Sequence, residues 1–168
     1  MLLNRKRNDK IKKLSLAVVV IWMALIFILS SQPAEQSDKL STGITKIYIK
    51  ATQNIIPNTI IDTEKLHPVI RKNAHVFFYL VLGVSIINIL RRSGVCGYKR
   101  AVVAFLICTI FAISDELHQL FVSGRAGQVE DVFIDTVGAS VGISVYLIAT
   151  QFVHFTSKLC KVSENMTK

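Results

Sequence analysis

The side chains of this chain that can do chemistry fall into three short segments. The densest, DELHQLFVSGRAGQVEDVFID (115–135), holds the carboxylates Asp115, Glu116, Glu130, Asp131 and Asp135 together with His118, Gln119 and Arg125. A second, RKNAHVFFY (71–79), supplies Arg71, Lys72, His75 and Tyr79, and a third, SSQ (30–32), supplies two hydroxyls and an amide. Asp115 or Glu116 can serve as a general acid or base, and an imidazole such as His75 exchanges protons near neutral pH. Arg71, Lys72 and Arg125 can hold a phosphate or carboxylate, with Arg able to grip it through two parallel hydrogen bonds. Ser30 and Ser31 have no base beside them in sequence. No metal-ligand spacing is present, since DELHQ (115–119) only resembles HExxH, and no metal site is expected. The variant is a divalent cation on the hard oxygens of Asp115, Glu116, Asp131 and Asp135.

The elements that carry these groups are apolar. About half of the 168 residues are hydrophobic, and four runs approach or reach the roughly 17 to 25 residues that a bilayer core requires: 14–30, 74–90, 101–122 and 132–155. The expected architecture is a single all-α membrane domain of four transmembrane helices, with a partly helical outer loop over 31–73. Within that loop Leu40, Ile44, Ile47, Tyr48, Ala51 and Ile55 recur at helical steps, as in an amphipathic helix on the membrane surface or against the top of the bundle. Asp62 and Thr63 can cap a second helix that runs into the second span, bent or begun at Pro68.

Charge orients the spans. Of 20 Lys and Arg residues, 13 crowd before the first span, between the second and third, and after the fourth. Nine of the 11 acids lie in or beside the two other loops. The positive-inside rule therefore puts both termini in the cytoplasm and accounts for the net charge of +9 without nucleic acid. The first apolar run is long for a signal core and lacks a small-x-small cleavage site, so it reads as an uncleaved helix. Cys96, Cys108 and Cys160 make no disulfide or zinc pattern.

Counted at 1.5 Å per residue from the cytoplasmic edge, Asp115, His75, Ser30 and Asp135 lie roughly 21 to 30 Å deep, all near the outer boundary. Helical phase groups them further: Arg71, His75 and Tyr79 share one face, as do Asp115, His118 and Gln119, and Asp131 and Asp135. Ionisable groups at membrane depth are costly and usually face a bundle interior or an aqueous cavity, paired with one another. One polar pocket at the outer mouth of the bundle follows. The simpler reading, charges marking span ends in water, suits Glu130, Lys72 and His67, and His154 reads as an interface residue. In the fourth span Gly138 and Gly142 form a GxxxG, suited to close packing within the chain or to a homo-oligomer seam.

LIFILSSQP (25–33), RKNAHVFFYLVLG (71–83) and the segment from Asp115 to Gly142 together resemble the VanZ-like family of small bacterial membrane proteins, named for an accessory protein of teicoplanin resistance. The family pattern falls on Ser30, Ser31, Gln32, Arg71, Lys72, His75, Tyr79, Asp115, Glu116, Gln119, Gly124, Arg125, Asp131, Asp135 and Gly138. Ser123 stands where the family often has a proline. The resemblance implies a multi-pass protein of the bacterial cytoplasmic membrane acting in the cell envelope on membrane lipids or a lipid-linked cell-wall precursor. Catalysis by Asp115, Glu116 and His75, and binding alone through the remaining positions, both fit. Transport fits poorly, because no ionisable carboxylate, amine or imidazole interrupts 101–114.

Overall fold

The computed structural model describes residues 2–33, 42–43, 63–125 and 127–166. Apart from residues 42–43, the expected helix from Leu40 to Ile55 lies outside what is described, as do the Asp62 cap and the side chains of His67, His154 and Cys160. The described residues form helices and turns, with no strand among them. The four long helices are α1 (Leu2–Ser30), α2 (Thr63–Arg92), α3 (Tyr98–Gln119) and α4 (Val129–Met166). Each contains a stretch long and apolar enough to cross a membrane, with mean hydropathy from 1.7 to 2.4.

Helix limits depart from the apolar runs for local reasons. α2 continues through Pro68, in its second turn, where the missing N–H removes one ladder bond. α3 stops at Gln119, three residues short of the apolar run, because the chain turns there: Phe121 N–H donates to His118 O and Val122 N–H to Gln119 O. α4 continues past Phe155 to Met166, a rod of about 57 Å that outruns a bilayer core of about 30 Å.

α2 is the central helix. It packs most extensively against α4, and also against α1 and α3. The α2–α4 contact rests on missing side chains. A Cβ on Gly138 would come within 2.6 Å of Val76 O, and Cβ atoms on Gly142 and Gly83 would strike Leu80 O and Ala139 O. The GxxxG is thus filled by α2 of the same chain. Trp22 binds α1 to α2, its indole N–H donating to Phe78 O at 2.9 Å while the two rings lie 5.6 Å apart. Between the helices Leu82, Ile86, Ile87, Ala104, Cys108, Ala112 and Ile143 form a small core. Outside it Ile21, Ile110, Ile148 and Phe152 are two-thirds exposed, as helices that face lipid require.

The two ends of the bundle differ in charge. Asn8, Lys12 and Arg92 line one depression, and Tyr146 O–H donates to Asn88 Oδ1 at 3.1 Å. The start of α1, the end of α2 and the C-terminal half of α4 are therefore gathered at one end, with the basic segments. The carboxylates sit at the other.

Candidate functional site

The acidic end is assembled from all four helices and the α3–α4 turn. α1 ends at Ser30, 1% exposed, whose hydroxyl donates to Asp115 Oδ2 on α3 at 3.0 Å. Gln119, one turn beyond Asp115, donates its amide to Ser30 Oγ at 2.6 Å and to Glu116 Oε1 at 3.2 Å. The turn between α3 and α4 depends on Gly124, whose φ of 74° favours a residue without Cβ. It sends Arg125 back across the bundle, where Nε donates to Gln32 O at 3.0 Å and a terminal nitrogen to Gln119 Oε1 at 3.4 Å. On the α2–α4 side, Lys72 Nζ lies 3.3 Å from Asp131 Oδ1 and His75 Nδ1 3.5 Å from Asp135 Oδ2.

Arg71, Lys72, His75, Gln119, Arg125, Asp131 and Asp135, with Ile134, line one small cavity of about 10 Å³, room for a single water-sized body. Asp135, which lines the cavity, and Asp115, which does not, are both 0% exposed. Asp115 Oδ1 and both oxygens of Asp135 have no hydrogen-bond partner among the described residues, nor has the hydroxyl of buried Tyr79. One donor atom each from His75, Asp115 and Asp135 lies within 4.8 Å of the others. Arg71, which lines the cavity, makes no hydrogen bond or ion pair with another described residue.

Asp115, Ser30 and Tyr79 are buried without lining this cavity, and three further expected residues take other places. Glu116 does not line this cavity: its second oxygen accepts the Gln128 backbone N–H at 3.0 Å, clamping the α3–α4 connection, and it borders a separate apolar groove of about 340 Å³ with Ile113, Leu117, Leu120 and Val132. Gln32 contributes its carbonyl to Arg125, which any residue could supply. Ser31 donates to Phe27 O at 2.6 Å and also meets His118 Nε2 at 3.0 Å. His118 stacks on Phe27, ring centres 4.2 Å apart. Helical phase placed His118 beside Asp115, but its partnership with α1 had no signal in the sequence. The cation variant is also redrawn: Asp131 is engaged by Lys72 and Glu116 by Gln119 and Gln128, while His75 joins Asp115 and Asp135.

Residues 15–150 match the VanZ/LLP1 family, which covers most of the chain and every residue of this cavity. The chain belongs to the VanZ/LLP1 family. No curated protein and no solved structure matches it. The family match and the four apolar helices together make it a multi-pass membrane protein.

Proposed function

We propose that the mouth of this cavity, which itself has room for a single water-sized body, recognises a phosphate oxygen on the head group of a membrane lipid or lipid-linked cell-wall precursor at the extracytoplasmic membrane face. The observation that carries this reading is Arg71, a cation without an ion-pair partner among the described residues, at a cavity that Lys72 and Arg125 also line. Arg71, Lys72 and Arg125 outnumber the carboxylates of Asp131 and Asp135 in the same lining, and the net positive charge at membrane depth suits a phosphate oxygen. The gathering of the basic segments at the opposite end supports the orientation, since those segments belong in the cytoplasm by the positive-inside rule. Through such a head group the protein would act in the bacterial cell envelope and alter susceptibility to glycopeptides such as teicoplanin.

Recognition is favoured over modification because the nearby hydroxyls are not set up as nucleophiles. Ser30 gives its proton to Asp115 and Ser31 gives its proton to the Phe27 carbonyl, leaving His118 to donate to Ser31 rather than activate it. The buried apolar layer below, with Leu82, Ile86 and Ala104, counts against a transport path.

The test is lipid retention. Wild-type protein extracted in mild detergent should carry phosphate-containing lipid visible by native mass spectrometry. The double variant Arg71→Gln, Arg125→Gln should lose it by about tenfold or more, the consequence of removing charge-assisted hydrogen bonds of about 1.5 kcal/mol or more each. Equal retention by a correctly folded double variant sinks the reading. In a deletion strain the same variant should match the empty vector in teicoplanin susceptibility at equal membrane abundance.

A further inference from the structure

We propose that His75, Asp115 and Asp135 form a divalent metal site, with Zn²⁺ the ion that its donors suit. The three residues come from α2, α3 and α4, so a bound ion would fasten three helices at their outer ends. Their donor atoms lie within 4.8 Å of one another, and His75 Nδ1 and Asp135 Oδ2 are 3.5 Å apart. Ligands about 2.0–2.2 Å from a tetrahedral zinc are separated by about 3.5 Å, so one pair already has the required spacing and the third donor needs a shift of about an ångström.

The independent observation is the unpaired oxygen. Asp115 and Asp135 are both 0% exposed, yet Asp115 Oδ1 and both Asp135 oxygens accept no hydrogen bond among the described residues. Buried carboxylate oxygens are ordinarily satisfied by donors or by a metal. Cations do line the neighbouring cavity, but Lys72 pairs with Asp131, and neither Arg71 nor Arg125 hydrogen-bonds Asp115 Oδ1 or Asp135. His75 can supply one proton to one oxygen; a dication balances both carboxylates with the imidazole neutral.

The surroundings match a metal site too. Ligating carboxylates are held by a further hydrogen bond on their other oxygen, and Asp115 Oδ2 is held by Ser30, itself fixed by Gln119. One imidazole with two carboxylates is a set that zinc accepts and that all-oxygen magnesium or calcium sites do not use. Three protein ligands leave a fourth position toward the cavity that Arg71, Lys72 and Arg125 line, where a phosphate oxygen would complete the coordination. That last feature rests on the head-group reading; the ion site does not.

The experiment uses full-length protein without a polyhistidine tag, purified in detergent and free of added lipid, so that its outcome is independent of head-group binding. Zinc content by plasma mass spectrometry should be about one equivalent per chain after incubation with Zn²⁺ and desalting, and near background in Asp135→Asn and His75→Gln. Glu130→Gln should retain the wild-type content, because Glu130 is exposed and lies outside the three donors and the residues that hold them. Should the Asp135 or His75 variant fold poorly, the wild-type protein alone still decides: loading with Co²⁺ should give visible d–d absorption bands that one equivalent of Zn²⁺ abolishes. Absence of those bands with no retained zinc overturns the proposal, as does equal zinc retention by well-folded Asp135→Asn. In the first case the cluster is held by protons on His75 or the carboxylates.

Discussion

Along the seam between α2 and α4 the same two helices meet in two different ways. In the middle, Gly138 and Gly142 of α4 lie against the backbone of Val76 and Leu80, and Gly83 of α2 lies against Ala139. One turn further out the contact passes to side chains, Lys72 with Asp131 and His75 with Asp135. The inner contact is van der Waals packing of backbone on backbone, which drives helix association in lipid without polar groups. The outer one holds ionisable groups where burial is expensive. Stability resides mainly in the first region, and the second is maintained at a cost that a packed apolar seam would avoid. A costly arrangement beside a cavity is the physical case for a functional site there.

The most complete way to break this comparison is to show that the acidic end does not face outward. In intact cells a membrane-impermeant thiol reagent should modify Ser123→Cys, exposed in the α3–α4 turn, and should spare Cys96, exposed in the basic loop, until the membrane is permeabilised. Labelling of Cys96 in intact cells would invert the topology and place the cavity in the cytoplasm.

Next in size is the glycine seam. Gly142→Leu should cost about 3 kcal/mol or more, because its side chain would overlap the backbone of α2, which cannot move without displacing the helix. Val141→Leu, one position away and 45% exposed, should change little. Thermal unfolding in detergent and size-exclusion profiles read both. A well-folded Gly142→Leu protein of wild-type stability would show that the inner seam is not what binds α2 to α4.

At the acidic end, Ser30→Ala should cost about 1–3 kcal/mol, since it leaves Asp115 Oδ2 and one Gln119 amide proton buried without that partner. Ser31→Ala, at a partly exposed position, should cost less on the same unfolding assay. If Ser30→Ala is neutral, the Asp115–Ser30–Gln119 chain is not a fixed scaffold for the cavity. The smallest effect is expected for Lys72→Gln. The side chains of Lys72 and Asp131 are 37% and 21% exposed, and an ion pair of that kind contributes less than about 1 kcal/mol. A loss well above that would mean that Asp131 depends on Lys72 as a buried charge does.

Much of this organisation was legible from local pattern. Apolar run length placed four helices, and missed the end of α3 only because Leu120, Phe121 and Val122 are apolar residues in a turn. Their side chains can face lipid, so composition does not mark the helix end. Depth and helical phase put Arg71, His75, Asp115, Gln119, Asp131 and Asp135 at one end, where the structure has them. Helical phase sets Asp115 with His118 and Gln119 and leaves Glu116 off that face, although residue type alone offered both carboxylates to the pocket. Neighbours on a helix point about 100° apart, so one carboxylate enters the Ser30–His75–Asp135 cluster and the other clamps the Gln128 backbone.

The sequence by itself determined the number of spans, the charge difference between the ends of the bundle and the set of polar residues near the acidic one, because length, hydropathy and helical period are local properties. Only the tertiary structure decided who meets whom: Ser31 with His118, Arg125 with the carbonyl of Gln32, and His75 with Asp115 and Asp135. Those pairings depend on how far each helix is rotated and slid against its neighbours. That register is set by close contacts such as Gly142 on Leu80, which join residues 62 positions apart and leave no mark in either segment read alone.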